Sequence, residues 1–557
     1  MVETLSITIA QLNPTVGDLE GNLRLIRDAR AGAAADGADI LLTPELSVAG
    51  YAPEDMVLKP AFQTSLRDCV ETLARETADG GPAMVVGAPW LEDGRLYNAA
   101  LVLDGGEIAG IVRKHDLPNY GVFDEKRVFA SAPLAGPVEL RGVRLGLMIC
   151  EDMWYPAATD RLAAGGADIL AVMNASPFET DKTPERLSLA RARVRAADAP
   201  IIVINQVGGQ DEVIFDGTSF VLNRDGREQA QFPGFRAHIA TTRWRRAGGG
   251  WACDAGEIVA PYDDHEAIYQ ACMLGLSDYL RKNRFPGVII GLSGGVDSAL
   301  TAAMAVDALG PDKVRTVMMP SRFTSRDSLE DAAETARLLG VRLDSVPIAP
   351  GVAAFEEMLA PLFAGRDPDV TEENIQARLR GVILMALSNK FGDMLLTTGN
   401  KSEMSVGYAT LYGDMAGGYS VLKDIYKTTA YALCRWRNAN LPNLAHGPAG
   451  RVIPERVITK PATAELAEDQ TDQDSLPPYD ELDDILHCLI EGNMGQPEIV
   501  ARGHDAATVA RVEHMLYIAE YKRRQAPPGV KITRRSFGRD RRYPITNGFR
   551  TARRSCP

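Results

Sequence analysis

Cysteine is scarce and shows no pairing pattern: seven residues, at 69, 150, 253, 272, 434, 488 and 556, with no CxxC and no zinc-finger spacing. An odd, dilute set in a long chain excludes a disulfide framework and suits a reducing compartment. No uninterrupted apolar stretch approaches the roughly 18 residues of a membrane span. The first residues, MVETLSITIAQLNPTVGD, carry Glu3 and no basic segment leading into an apolar run. The expectation is a soluble, cytoplasmic protein with no membrane partner. Positive charge is also in short supply, 60 Lys+Arg against 74 Asp+Glu for a net −14. With no helix-turn-helix and no basic-aromatic stripe, that balance excludes nucleic acid as an expected partner. No solenoid-length repeat occurs. The local exception is the tail KITRRSFGRDRRYPITNGFRTARRSCP, with nine Lys/Arg against one Asp. It is either mobile or a source of cations for an anionic ligand.

What the 557 residues do contain is ordinary globular material, 45% hydrophobic and 24% charged. At roughly 100–200 residues per domain this makes about three to five units, or fewer large ones. From Leu5 to about Leu222, β-rich runs (LSITIA, ADILLTP, AMVVGAP, NAALVLDG, VRLGLMIC, ADILAVMNAS, PIIVINQV) are interspersed with helical stretches such as NLRLIRDARAGAAA and PERLSLARARVRAA. This predicts a layered α/β domain over 1–245. In RRAGGGWACDAGEIVAPYDD the glycines break the periodicity, so 246–264 reads as a linker, with a second domain over 265–557. There the helical run EAIYQACMLGLSDYLRKN precedes the strand GVIIGLS and the helix ALTAAMAVDAL. The strands VRTVMMPS and VRLDSVPI follow, with SLEDAAETARLLG between them. The expectation is an α/β fold doubly wound around a parallel sheet.

Cys150 closes the apolar run RLGLMIC, Glu45 ends ILLTPEL and Lys114 ends EIAGIVRKH. Strand ends are where α/β domains gather chemistry, although a buried structural thiol is the commoner fate of a single cysteine. A thiol of reference pKa about 8.5 needs a base or a cation to become a nucleophile. A carboxylate can take the proton, and an ammonium can hold the oxyanion formed on attack at a carbonyl. Together LTPELSVAGY, RKHDLPNYGVFDEKRVF and GLMICEDMW resemble the nitrilase superfamily of carbon–nitrogen hydrolases. That resemblance implies an αββα sandwich with Glu45 as general base, Lys114 as stabiliser of the tetrahedral intermediate and Cys150 as the nucleophile that becomes a thioester. Ammonia would leave from an amide. In glutaminase members it further implies that Tyr120 and the Ser176/Lys182 pair of NASPFETDK hold the α-amino and α-carboxylate groups of glutamine.

GLSGGVDS, Gly291 to Ser298, follows a strand and opens a helix. Its glycines let backbone amides approach an anion, and the helix N-terminus favours negative charge; a plain turn is the alternative. The segment lacks the Lys of a Walker A loop and is not GxGxxG, which disfavours nicotinamide hydride chemistry. It is similar to the pyrophosphate loop of the ATP pyrophosphatases, whose fold is adenine-nucleotide alpha hydrolase-like and which adenylate a carbonyl oxygen and release pyrophosphate. The resemblance implies that Gly291, Leu292, Ser293, Gly294, Gly295, Val296, Asp297 and Ser298 bind ATP, with Asp297 helping to hold Mg2+. The long segment from ENIQARLRG to KDIYKT, together with KPATAEL and YKRRQAPPGV, resembles the NAD synthetases. A nitrilase-like domain in front of such a ligase is the arrangement of the glutamine-dependent members. This implies ATP contacts from Thr398 and Lys423, deamido-NAD contacts from Asn374, Glu403, Asp414 and Lys522, and Glu403 beside Mg2+.

The implied reaction is adenylation of deamido-NAD by ATP, then displacement of AMP by ammonia derived from glutamine. Ammonia equilibrated with water near neutral pH is protonated and loses its lone pair, so a sheltered passage between the sites is expected. Glutamine hydrolysis must also wait for the adenylate, which predicts a coupling of about 1–3 kcal/mol, with GVFDEKRVF as a candidate communicator. The resemblance implies a homo-oligomer, an octamer as in bacterial two-domain enzymes. Two alternatives stay open on the residues: a carbon–nitrogen hydrolase whose ATP-binding half is degenerate or serves another carboxylate, and a non-enzymatic nitrogen-sensing module. The intact Glu45, Lys114, Cys150, Asp297 and Glu403 speak against both.

Overall fold

The alternation in TLSITIAQ buries Ile7 and Ile9 on one face and Thr8 and Ala10 on the other, so the first strand is covered on both sides. The computed structural model describes residues 3–468 and 470–549. Contacts divide the chain into two units, Met1–Tyr262 and Asp263–Pro557. In the first unit, one sheet contains β1 (Thr4–Gln11), β2 (Ile40–Leu42), β3 (Ala83–Glu92), β4 (Arg95–Asp104) and β5 (Glu107–Arg113). A second sheet contains β6 (Val138–Leu140), β7 (Val143–Ile149), β8 (Ile169–Asn174) and β9 (Ile201–Asn205). The hairpin β10 (Val207–Gln210) and β11 (Val213–Asp216) stands apart. The second sheet is completed by β12 (Phe220–Leu222) and β13 (Glu228–Gln231), and the first by β14 (His238–Ala247) and β15 (Gly250–Cys253). The strand orders are β15-β14-β1-β2-β3-β4-β5 and β13-β12-β9-β8-β7-β6.

The inner faces pack on each other through Ile7, Ile9, Leu42, Val85 and Val102 on one side and Leu145, Leu147, Ile149, Met173 and Ile204 on the other. Helices α1 (Leu19–Ala35) and α2 (Pro60–Glu76) cover the first sheet. The short α3 (Glu125–Val128) sits among the loops, and α4 (Pro156–Ala164) and α5 (Lys182–Ala197) cover the second sheet. This is the αββα sandwich. Each fully buried aliphatic side chain in it contributes about 1.5–3 kcal/mol, an upper figure because the unfolded chain is already partly compact.

The segment read as a linker is in large part sandwich. Gly248 and Gly249, at φ +59° and +83°, form the two-residue turn of the β14–β15 hairpin, in which Ala247 pairs with Gly250. Trp251 is buried in the inter-sheet core. The glycines break the periodicity because a tight hairpin needs positive φ at both turn positions, a signal easily taken for a domain boundary. The units part at Tyr262/Asp263.

In the second unit α6 (Asp264–Lys282) precedes β16 (Val288–Gly291), and α7 (Val296–Leu309) leads to β17 (Val314–Met318). Next come α8 (Arg326–Leu339), β18 (Arg342–Ser345), α9 (Ala349–Phe363), α10 (Val370–Phe391), β19 (Met394–Thr397), α11 (Lys401–Val406), β20 (Tyr419–Ser420) and α12 (Lys427–Ala439). The strands form one parallel sheet, β18-β17-β16-β19-β20. Order reverses beside β16, which puts the Gly-rich loop at the switch point of the sheet.

The first part of the basic tail is packed against the second unit. Lys531, Ile532, Phe537 and Arg541 are buried, and Lys531 pairs with Asp540 at 3.2 Å. Asp424 accepts from the N–H groups of Ile532 and Thr533, and Lys401 Nζ donates to Thr533 Oγ1 and the Arg535 carbonyl. Up to Arg541 the segment is therefore a strap packed onto the second unit, with Lys531 paired to Asp540 and Arg541 to Glu520. The end of the same tail, 550–557, lies outside the described residues. Among the described residues no helix is long and apolar enough to cross a membrane.

Candidate active sites

Glu45, Lys114 and Cys150, far apart in sequence, meet at the ends of strands from both sheets of the sandwich. Lys114 is fully buried and donates to Glu45 Oε1 at 2.6 Å and to Glu125 Oε1 at 2.8 Å. Glu45 is held by Asn98 Nδ2 at 2.8 Å and by the Ala175 N–H at 3.0 Å, while the Tyr51 hydroxyl donates to Glu125 Oε1 at 2.8 Å. Gly87 makes room for this loop: a Cβ there would sit 2.3 Å from the Leu46 nitrogen. Cys150 leaves β7 with φ +47°, a left-handed conformation that costs a non-glycine residue of order 1–2 kcal/mol. The strained turn lifts the thiol off the strand.

Burial, reinforced by the charge of Glu45, pushes the Cys150 thiol well above its ordinary pKa, with Lys114 pulling the other way. The resting group is a thiol beside a ready base. Burial opposes the Lys114 ammonium, but Glu125 and Glu45 hold its pKa well above normal. Burial pushes Glu125 up to about 7 against the pull of Lys114. A lysine whose charge is favoured by two carboxylates is suited to an oxyanion, and a carboxylate to proton transfer.

Tyr120 donates to Glu151, the neighbour of Cys150, at 3.0 Å. Its ring lies edge-on to Phe123 with centroids 5.5 Å apart, and Lys182 Nζ stands 6.0 Å from the same Phe123 ring. Ser176 follows Ala175 and is held at both backbone groups by Asn205. Of the three expected glutamine contacts, Tyr120 and Lys182 thus meet at Phe123, and Ser176 follows the Ala175 N–H that holds Glu45.

In the second unit, Gly294 turns at φ +83° against α8, where a Cβ would lie 2.3 Å from the Ser328 carbonyl oxygen. Ser298 Oγ accepts from the Ser293 N–H and donates to the Gly295 carbonyl, closing the loop over the start of α7. A cavity of about 290 Å³ opens above it. Its wall includes Gly291, Leu292, Ser293, Gly295, Val296, Asp297 and Ser298, and also Thr398, Glu403, Asp414 and Lys423. Gly294 supports the loop from behind.

Lys427 organises this cavity. Its Nζ donates to Asp297 Oδ2 at 2.5 Å and to Glu403 Oε1 at 2.9 Å, and Asn400 Nδ2 holds Asp297 Oδ1 at 2.9 Å. Burial pushes Glu403 up to about 7 against the attraction of Lys427, and burial likewise lifts Asp414 to about 6. Besides Gly294, the expected contacts Asn374 and Lys522 are absent from the cavity wall. Asn374 accepts from Thr410 Oγ1 at 2.9 Å, and Lys522 donates to the Gly407 and Ala409 carbonyls at 2.7 Å each. They brace the 407–414 loop that carries Asp414.

Sequence reasoning missed Glu125 and Lys427. Glu125 lies inside GVFDEKRVF, singled out for another reason, and Lys427 stands four residues after Lys423, the cation chosen instead. Neither has a spacing that marks it.

Two family models match the chain: carbon-nitrogen hydrolase over residues 6–247 and NAD synthase over 268–526. The class is therefore a cysteine amidohydrolase domain joined to a nucleotide-dependent synthase domain. A glutamine-dependent NAD(+) synthetase of Rhodobacter capsulatus is 51% identical over 550 residues, covering 99% of this chain and all of the relative. One from Acinetobacter baylyi is 43% identical, with 99% of each covered. A solved glutamine-dependent NAD+ synthetase from Acinetobacter baumannii, in complex with ADP, superposes with a TM-score of 0.78 at 41% identity, covering 99% of this chain and 100% of that one. The chain belongs to the glutamine-dependent NAD(+) synthetases.

Proposed function

We propose that the first site hydrolyses glutamine and the second uses the resulting ammonia to amidate deamido-NAD, giving NAD+, AMP, pyrophosphate and glutamate. The observation carrying this reading is the pair of constellations on one chain that matches its relatives end to end: Lys114 between Glu45 and Glu125 beside Cys150, and a phosphate-cradling loop facing Asp297, Lys427 and Glu403. Glu45 takes the Cys150 proton as sulfur attacks the amide carbon. Lys114 holds the oxyanion, Glu45 returns the proton to the leaving nitrogen, and ammonia departs. Water, deprotonated by Glu45, then releases glutamate from the thioester. Tyr120, Ser176 and Lys182 hold the amino acid end of glutamine.

In the second site the nicotinate carboxylate attacks the α-phosphorus of ATP and pyrophosphate leaves onto the Gly291–Ser298 loop. Ammonia then attacks the activated carbonyl and AMP departs. Mg2+ fits here: Asp297 and Glu403 converge on one ammonium, so a cation is already favoured between them, and two carboxylates plus phosphate oxygens are the usual magnesium ligands. Bound there, the ion would neutralise phosphate charge. Thr398 and Lys423 face ATP, and Asp414 faces deamido-NAD, with Asn374 and Lys522 supporting its loop. Ammonia passes between the reactions sheltered from water, in a cytoplasmic enzyme.

The same reading includes a homo-oligomer. The apolar helix α9 buries no residue within the chain, and Met358 and Leu362 stand 62% and 76% exposed, an arrangement that suits burial against another copy; sedimentation velocity tests it. The reaction is tested by NAD formation from deamido-NAD, ATP and Mg2+ with glutamine or an ammonium salt, for the intact enzyme and Cys150→Ala. Loss of only the glutamine-driven reaction supports the assignment; equal loss of both in a folded protein refutes it.

A further inference from the structure

Behind the reactive groups of the first site a single carboxylate serves three backbone amides. Asp152 Oδ2 accepts from the Ile149 N–H at 3.0 Å, and Oδ1 accepts from the N–H groups of His115 at 3.0 Å and Asp116 at 2.8 Å. The residue is 4% exposed. Ile149 immediately precedes the nucleophile, and His115 immediately follows the catalytic lysine. These two segments end β7 and β5, which belong to different sheets of the sandwich.

That placement matters because the sheets pack largely through apolar side chains, with few polar ties between them such as the Glu45 carboxylate on the Ala175 N–H. Apolar packing is strong but non-directional and leaves two sheets free to settle by small shifts. Lys114 is fixed within its own sheet, its N–H on the Asn98 carbonyl at 2.8 Å, and its carbonyl accepts from the Ala132 N–H at 3.2 Å. Cys150 is fixed within the other by a turn of four residues, 150–153, whose strained first residue is held by the bond from Ile149 to Asp152. The Asp152 side chain bonds the backbone of both segments directly. We infer that Asp152 is a positioning residue for glutamine hydrolysis: its carboxylate ties the sheets together at their catalytic ends and so sets where the Lys114 ammonium stands relative to the Cys150 sulfur. This rests on the reading that Cys150 and Lys114 perform that hydrolysis.

Asp152→Asn tests it with little change of shape. One oxygen becomes an NH2 facing a backbone N–H, so at least one of the three amides loses its acceptor and the tie slackens. Misplacement of reacting groups by about 1 Å costs on the order of 10²-fold in rate. The expected result is a fall of that order in kcat for glutamine hydrolysis, with KM for glutamine unchanged and ammonium-driven NAD formation intact. Iodoacetamide labelling of Cys150 should also change its pH profile, because the thiol titrates among Lys114, Glu45, Glu151 and Glu125, and the cation would have moved.

Asp168→Asn is the control for general destabilisation. Asp168 accepts from the Arg144 N–H at 2.9 Å at the opposite end of β7, and its loss should leave kcat and the labelling profile unchanged. Asp152→Glu keeps the charge and should retain more activity than Asp152→Asn; if the asparagine variant does not fold, it carries the same measurements. The inference is overturned if Asp152→Asn keeps the parental kcat and labelling profile, if ammonium-driven synthesis falls in step, or if Asp168→Asn reproduces the loss. Should Cys150→Ala still hydrolyse glutamine, the underlying reading fails instead.

Discussion

Each unit holds a buried ammonium between two carboxylates, which are buried in the first unit and half-buried in the second, and the two arrangements suit different chemistry. Lys114 is sealed between Glu45 and Glu125, both carboxylates are tied by further protein donors, and the reacting sulfur comes from the same chain. Lys427 bridges Asp297 and Glu403 on the wall of an open cavity beside a loop of backbone amides. In the first, every charge the reaction needs is supplied by side chains, so the lysine can be fixed. In the second, on the proposed reading, ATP would bring several negative charges together with Mg2+, so the carboxylates would have to exchange one cation for another. A buried ion pair is weak evidence of stability, and breaking one by removing a single partner costs about 3–5 kcal/mol. Both therefore read as functional devices.

Substitutions at the two bridges should separate the reactions. The largest effect is expected for Cys150→Ala, which should lower glutamine-driven NAD formation by on the order of 10³-fold or more while sparing the ammonium-driven reaction, as coupled assays of NAD would show. Lys427→Ala should do the opposite. It leaves the half-buried Asp297 and Glu403 without their shared cation, and synthesis should fall by roughly 10²–10³-fold with either nitrogen donor while glutamine hydrolysis alone persists. If Lys427→Ala impaired only the glutamine-driven reaction, the contrast drawn between the two bridges would be wrong.

Glu125→Gln is a gentler probe of the first bridge. Lys114 keeps Glu45 but loses its second anion, and kcat for glutamine should drop by about 10²-fold with ammonium-driven synthesis unchanged. Phe123, edge-on to Tyr120 and Tyr51 and 6.0 Å from Lys182, joins the substrate contacts to the Tyr51–Glu125 bond. Phe123→Ala should reduce the stimulation of glutamine hydrolysis by deamido-NAD and ATP, a loss of up to the 1–3 kcal/mol typical of such coupling. Equal stimulation in the variant would remove that role.

The smallest expected effect is one of pH. Burial raises Asp414 from its ordinary 3.8 to about 6, with Lys522 pulling it down. The folded state therefore binds this proton more tightly than the unfolded one. The stabilisation is fully present below about pH 4 and is lost as pH rises through 6. The melting temperature of the ligase unit, compared with that of Asp414→Asn, should fall over that interval; a constant difference would contradict the assignment.

Much of this was legible in the residues. LSITIA, VRLGLMIC and PIIVINQV announce strands by β-branched apolar content, and GLSGGVDS announces a phosphate loop because only glycine tolerates its φ and its approach to Ser328. Glu45, Lys114 and Cys150 declare themselves at strand ends. Glu125 does not, because a glutamate in a loop looks the same whether it faces water or a buried lysine. Lys423 and Lys427 are equally cationic in sequence, and only the packing of α12 aims the second at Asp297 and Glu403. The glycines of 248–249 read as a boundary and are a hairpin, since local flexibility and a required positive φ have the same composition.

The sequence by itself determined the two families of chemistry, the order of the domains and the candidate nucleophile, because these depend on local backbone requirements and on residue types that few other roles demand. Only the tertiary structure decided which charges meet: that Lys114 has two anions, that Lys427 and not Lys423 bridges Asp297 and Glu403, that Lys531 and Arg541 of the basic tail pair with Asp540 and Glu520, and that Asp152 joins two sheets. These depend on burial and on distances between residues remote in sequence, where a few ångströms in a low-dielectric interior separate a strong interaction from none.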